Sequence, residues 1–247
     1  MIKLTDRLQI IADRLAKCET MADIGTDHGF LPVYMLQSGH CKKTIAADIS
    51  AASLDKASQL CQRLGITDCD LRVGDGLQVL GIGEVDGIAI AGMGGNLMVE
   101  ILEASIDVAN SVKRLVMQPR TDSDELRRWL LSHDFSIVAE DVVYEGKFVP
   151  VIITAVPNAN LDVSEDRVLS EETPRYDGDI YYEVPYWMTE AEGPIEEHIS
   201  RILSREKRIL NGLEHAASID EDKIKSKRKG IEYLEKIVEK VGTRNGQ

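Results

Sequence analysis

No apolar run in the 247-residue sequence approaches the roughly 20 residues that a membrane-spanning helix needs. Met1 to Leu15 mixes charged and apolar residues from its first turn, which is not the pattern of a secretory signal. Cys18, Cys41, Cys61 and Cys69 include no CxxC pair and no histidine cluster. Neither a zinc site nor a disulfide framework is therefore expected, no metal is called for, and a reducing cytoplasm suits the chain. His40, His133, His198 and His215 are scattered without ligand spacing. Basic residues are in deficit: 29 Lys and Arg against 42 Asp and Glu leave a net charge of −13. Alone, that weighs against a partner whose phosphates need Lys and Arg. The deficit is uneven, with a net −7 over residues 1–156, −6 over 157–185 and zero over 186–247. Local basic faces are compatible with it.

The chain is long enough for one good core and a smaller appendage. Residues 1–18 predict an amphipathic helix, with Leu4, Leu8, Ile11 and Leu15 on one stripe. Lys3, Arg7, Arg14 and Lys17 fall within a sector of roughly 80° on another, at about 100° of turn per residue. Strand-like runs at 21–25, 44–49, 70–74, 85–92 and 114–118 then alternate with helical stretches at 29–39, 51–64, 95–106 and 122–132. Pro32 sits near a first helical turn, and Ser50 is placed to cap the helix that follows it. Such alternation predicts a parallel sheet covered by helices on both faces. Two further strand-like runs, 136–145 and 147–157, are separated only by Gly146, a spacing that permits only an antiparallel hairpin. The pattern predicts an α/β fold: the Rossmann-like seven-stranded sheet of class I S-adenosylmethionine-dependent methyltransferases, ending in an antiparallel hairpin.

This body is expected to span 1–157, followed by an acidic connecting segment at 158–185 and a C-terminal coiled-coil-like helical hairpin at 186–247. In the hairpin, Ile195, Ile199, Ile202, Ile209, Leu213 and Ala216 form one seam, interrupted at Glu206. Ile224, Ile231, Leu234, Val238 and Val241 form the other, interrupted at Lys227. The helices are expected to join near 218–220 and lie antiparallel. Lys223, Lys225, Lys227, Arg228 and Lys229 make the only dense basic cluster, read either as a solvated helix face or as a nucleic-acid contact.

The first strand leads into Asp23-Ile24-Gly25-Thr26-Asp27-His28-Gly29. A glycine-containing turn between strand and helix lets backbone approach a ligand closely. The spacing is not G-x-G-x-x-G, and two carboxylates would repel a pyrophosphate. They suit a sulfonium cation and an α-amino group. Asp48 closes the second strand, 23 residues after Gly25 and followed by Ile49, where a carboxylate can accept both hydroxyls of a ribose. Gly74-Asp75-Gly76 closes the third, where Asp75 can accept the amino group of an adenine. Singly, each acid is as readily a helix cap. Three in consecutive units predict a cofactor site. The fourth strand runs into Ala91-Gly92-Met93-Gly94-Gly95, whose bare backbone admits a flat ring, and the fifth ends in Gln118-Pro119-Arg120.

The set DIGTDHG (23–29), AADIS (46–50), GDGL (74–77), AGMGG (91–95) and MQPR (117–120), with the helical hairpin behind it, resembles the bacterial TrmK family. The resemblance implies a tRNA (adenine(22)-N1)-methyltransferase using S-adenosyl-L-methionine, with the hairpin docking tRNA. The candidate cofactor contacts are Asp23, Gly25, Thr26, Asp27, His28, Asp48, Ile49, Asp75, Gly76 and Gly92. Asp27, His28, Gly92, Met93 and Gly94 are the candidates beside the reacting atoms. Lys3, Arg7, Arg14, Arg120, Lys223, Lys225, Lys227 and Arg228 are the candidates for RNA phosphates. A methyltransferase for a small molecule or protein, with the hairpin as an oligomerisation device, stays open, as does a scaffold with a degenerate cofactor domain. A nicotinamide oxidoreductase ranks last. The sequence leaves monomer and weak dimer equally open.

Overall fold

The computed structural model describes residues 1–162, 164, 166–169, 179–216 and 218–245. Helix α1 (Asp6–Leu15) begins later than the apolar stripe alone predicts, because Thr5 caps it by accepting the Leu8 amide at 3.4 Å. Seven strands follow: β1 (Thr20–Ile24), β2 (Lys43–Asp48), β3 (Cys69–Val73), β4 (Gly87–Met93), β5 (Arg114–Pro119), β6 (Phe135–Val142) and β7 (Val151–Pro157). They lie in the order β3-β2-β1-β4-β5-β7-β6. The first five are parallel, and β7 runs antiparallel to both β5 and β6. This is the mixed sheet expected from the sequence. All the carboxyl ends of β1–β6 consequently lie along one edge.

Side chains alternate between the faces with the strand period of two. Met21, Ala89, Val116 and Ile152 meet Ile11 and Leu15 of α1 and Leu31 and Met35 of α2 (Phe30–Gln37). Helix α3 (Ala51–Leu64) is capped by Ser50 as predicted and packs through Leu60 and Cys61 against Val33 of α2. On the other face, Ala22, Ile88, Leu115 and Ile153 are covered by α4 (Gly95–Glu103), α5 (Ile106–Ser111) and α6 (Ser123–Ser132). The single helix expected over 95–106 is thus two, divided at Ala104–Ser105.

Three further expectations need correction. The β6–β7 connection is the eight residues 143–150 rather than Gly146 alone. Pro150 has no amide hydrogen to give the ladder, so across the loop its carbonyl only accepts the Val143 amide at 3.2 Å, while Glu145 and Phe148 pair locally around Gly146, at φ 59°. The described end of the connecting segment, with α7 (Asp179–Glu183), buries Tyr181 and Val184 in the main core, and the predicted hairpin opens instead with a short 3₁₀ turn, Tyr186–Glu190, that buries Trp187 and Met188 there. These apolar residues were hidden among acidic neighbours; part of the predicted segment, 163, 165 and 170–178, lies outside the described residues. Cys18 and Cys41 form a disulfide pair across the ends of α1 and α2, where isolated thiols were expected. Their separation of 23 residues carries no spacing signal.

The C-terminal helices are α8 (Ile195–Glu214) and α9 (Glu221–Asn245). Ile199, Ile231, Leu234 and Val241 are buried along the seams, whereas Ile209 is exposed and departs from its predicted role. The two interruptions meet: Lys227 forms an ion pair with buried Glu206. The hairpin is joined to the sheet by polar contacts as well as by the core. Tyr233 donates its hydroxyl to the Val184 carbonyl at 2.7 Å. Arg127, wholly buried, holds Glu140 through two bonds and donates to the carbonyls of Tyr182 and Glu183.

Candidate active site

At the end of β1 the Gly25 and Thr26 amides donate to the Ala47 carbonyl of β2, at 2.8 and 3.1 Å. The turn is tight because Gly25 has φ 76° and a Cβ there would stand 2.2 Å from the Met93 methyl. Met93, at the end of β4, therefore lies directly over the β1 turn. Asp23 is buried beneath it and accepts the Thr26 hydroxyl at 2.7 Å. Burial raises its carboxyl to about 6, against the opposing effects of the Thr26 hydroxyl and the Arg7 charge.

Asp27 adopts φ 44° and is mostly exposed. Its carboxylate bonds Lys56 of α3 at 2.9 Å and approaches His28 Nε2 at 3.2 Å. The Lys56 bond, chiefly, holds its carboxyl below the usual range, so it is ionised at neutral pH. Asp48 accepts the Ser50 amide at 2.8 Å and the Asp27 amide at 3.4 Å, which fixes its orientation. A carboxylate offers about four lone-pair sites, so further bonds are available to a ligand. Asp75 precedes the 3₁₀ turn Gly76–Val79 without capping it by its side chain. Among the described residues, neither Asp48 nor Asp75 has a basic side chain in an ion pair. Ile49 and Val73, adjoining these acids in sequence, are 74% and 62% exposed, an unusual cost for apolar side chains beside a polar cluster.

The β4–α4 turn lies beside the β5 end. The Arg120 amide donates to the Met93 carbonyl at 2.7 Å and the Gly95 amide to Thr121 at 2.8 Å. A Cβ at Gly95 would stand 2.0 Å from the Asp122 carbonyl oxygen, so this close approach requires glycine. Gly92 takes φ 79°. The structure thus collects Asp23, Gly25, Thr26, Asp27, His28, Asp48, Ile49, Asp75, Gly76, Gly92, Met93 and Gly94 along one edge, on the ends of four adjacent strands. A groove of about 540 Å³ at the opposite edge, lined by Thr44, Cys69, Asp70 and Arg72, holds none of them.

Residues 4–153 match the family model described as a methyltransferase domain. The tRNA (adenine(22)-N(1))-methyltransferase of Bacillus subtilis strain 168 is 36% identical over 154 residues, covering 62% of this chain. That match spans 65% of the relative's length, just under two thirds. The crystal structure of the B. subtilis m1A22 tRNA methyltransferase TrmK superposes with a TM-score of 0.82 at 27% identity, covering 96% of this chain and all of that one. The chain belongs to the methyltransferase-domain family, and it is similar to TrmK over nearly its whole length. M. capricolum TrmK, solved with the natural cofactor product S-adenosyl-homocysteine, shares the fold at a TM-score of 0.72 and 21% identity, covering 96% of this chain and 99% of that one.

In this methyltransferase-domain protein the structure divides the eight candidate RNA contacts. Arg14 is committed inward, holding buried Asp141 through two bonds of 2.6 and 2.7 Å. Arg7 bonds Glu145 at 2.6 Å and Gln118 at 3.1 Å. Lys227 is held by Glu206, Arg228 by Glu214 at 2.7 Å and Lys223 by Asp220 at 3.2 Å. Lys3, Arg120 and Lys225 are exposed and form no ion pair among the described residues. Sequence reasoning missed Lys56, whose contact with Asp27 spans 29 positions and leaves no motif. It also missed Glu145 and Gln118 as partners of Arg7, because the loop that carries Glu145 was read as strand.

Proposed function

We propose that this protein transfers the methyl group of S-adenosyl-L-methionine to N1 of adenine in tRNA, at position 22 by family. The observation that carries the reading is the row of strand-end carboxylates, Asp23, Asp48 and Asp75, beside exposed Ile49 and Val73. Carboxylates suit the cofactor's amino group, ribose hydroxyls and adenine amine, and the exposed apolar side chains suit a flat ring. The M. capricolum structure, which shares this fold and was solved with the natural cofactor product S-adenosyl-homocysteine, is consistent with that choice of cofactor. When bound, the cofactor supplies an electrophilic methyl on a sulfonium.

Adenine N1 brings a lone pair, so it would take the cofactor's methyl group with no prior deprotonation, and the methylated base would then carry the positive charge that the sulfonium gives up. Asp27, already ionised, stabilises that charge as it develops, and His28 orients Asp27. Main-chain oxygens over Gly92, Met93 and Gly94 receive the adenine amino group. The base must leave its stack to reach the edge, at a cost of a few kcal/mol, so positioning supplies most of the rate. Lys3, Arg120 and Lys225 are the cations available to phosphates, with the paired cations of α1 and α9 contributing less. The working organisation is a catalytic body at 1–157, a connector at 158–185 and a docking hairpin at 186–247, in a cytoplasmic monomer or weak dimer.

The test is transfer of labelled methyl from S-adenosylmethionine to unmodified bacterial tRNA, followed by nucleoside analysis. One new 1-methyladenosine, lost when the target adenine is replaced, is the expected result. Cofactor binding without transfer to tRNA would redirect the reading to a small-molecule or protein substrate.

A further inference from the structure

Aromatic side chains are scarce in this chain, at 5% of residues, and most of those described are wholly or partly buried. Among the described residues only Phe30, Tyr144 and Phe148 are classed as exposed aromatics, at 42%, 59% and 61%. All three belong to segments that follow the carboxyl ends of strands: Phe30 opens α2 after β1, and the other two lie in the loop after β6. Leaving two large rings in water beside one tight turn forgoes the gain that burial would bring them. A folded chain that buries its other aromatics so consistently offers these as a contact surface.

The loop that carries them is held on every side. Glu145 and Phe148 exchange two backbone bonds of 3.0 Å, closing a turn over Gly146 and Lys147. The Val149 carbonyl accepts His198 of α8 at 2.7 Å, and the Lys147 carbonyl accepts Arg201. From the body, Arg7 bonds Glu145 and Gln118 together, tying the loop to the end of β5 beside the reacting edge. Lys147 lies over the Phe148 ring at 5.3 Å. Tyr144 and Phe148 are thus presented on a preorganised turn, flanked by Lys147 and adjoining the end of β5, with exposed Arg120 two residues beyond Gln118. Rings with neighbouring cations are the chemistry that receives an unstacked nucleobase and its phosphate.

We infer that the 143–150 loop is a stacking platform whose exposed rings, Tyr144 and Phe148, receive unpaired bases of the RNA substrate next to the adenine being methylated. The inference rests on the proposed tRNA reading. The two residues are positioning residues, and the hairpin contributes to catalysis by bracing their loop through His198 and Arg201.

The experiment uses the full-length protein and an unmodified tRNA transcript. Tyr144→Ala/Phe148→Ala should weaken tRNA binding about tenfold or more, since each stacked base contributes appreciably. Cofactor affinity and the slope of affinity against salt should stay unchanged, because no phosphate contact is removed. Tyr144→Phe with Phe148→Tyr should restore wild-type binding. In Tyr144→Trp, whose added fluorescence stands against two buried tryptophans, tRNA should quench the emission and the cofactor alone should not. Unchanged tRNA affinity in the double alanine variant, or a quench caused by cofactor alone, overturns the platform. Wild-type protein that neither binds nor methylates tRNA overturns the reading beneath it, a result separable from the first.

Discussion

The carboxyl edge of the sheet and the helical hairpin are both rich in charge, and they use it in opposite ways. In the hairpin several acids are matched, Glu206 with Lys227 and Arg205, Glu214 with Arg228, and Glu235 with Lys207, and Arg205 also holds Glu183 of α7. At the edge, Asp48 and Asp75 have no basic partner among the described residues, and buried Asp23 has a hydroxyl where an ion pair would cost less. Matched charge fixes one arrangement of two helices on a body. Unmatched charge beside exposed apolar side chains weakens the protein locally and leaves its bonds for a ligand. The matched acids hold this fold, and the unmatched ones are those proposed for its chemistry.

Breaking a matched pair should have the largest effect on stability. Arg127→Met strands Glu140, which has no exposure, and removes the bonds to Tyr182 and Glu183. A loss of about 3–5 kcal/mol is expected in urea unfolding. Adding Glu140→Leu should recover most of it, since replacing both partners leaves no buried charge. Failure of the second change to recover stability would show that the carbonyl bonds, rather than the ion pair, dominate.

Asp23 sharpens the comparison from the other side. Its raised carboxyl means that the folded state favours the proton, a contribution present below about pH 4 and lost as pH rises through about 6. Asp23→Asn should therefore stabilise the free protein by about 2–3 kcal/mol at pH 7 and by little at pH 4. The same variant should bind S-adenosylmethionine more weakly, and wild-type affinity should rise between pH 5 and 7. Thermal unfolding at the two pH values, with calorimetric binding, reads both.

The smallest effects belong to the cations. Lys225→Gln removes an exposed charge with no partner in the described residues and should lower the salt slope of tRNA binding by about one. Arg228→Gln, whose charge Glu214 already holds, should change it less. Equal effects would mean that RNA draws Arg228 away from its partner.

Much of the fold was legible because it rests on periodicity. The two-residue alternation of the strands and the Ser50 cap need only near neighbours, so β2 and α3 emerge within a residue or two. The acidic edge was legible because its residues recur at strand ends, one per unit. What stayed hidden depends on distant partners. Arg7 and Arg14 sit on a basic helical face in sequence, yet Glu145 and Asp141 take up their charge from more than 120 positions away. The β6–β7 loop reads as strand because Val143, Tyr144, Phe148 and Val149 have strand propensity, and only Pro150 opposes it. Glu206 and Lys227 looked like two flaws in two seams, and antiparallel docking makes them one contact.

The most direct test of the division between matched and unmatched charge is calorimetric binding of S-adenosylmethionine to Asp48→Ala beside Glu206→Gln, with unfolding measured on both. The account predicts that Asp48→Ala loses at least tenfold in cofactor affinity while keeping its stability within about 1 kcal/mol, and that Glu206→Gln does the reverse. Full cofactor affinity in a folded Asp48→Ala protein would contradict it.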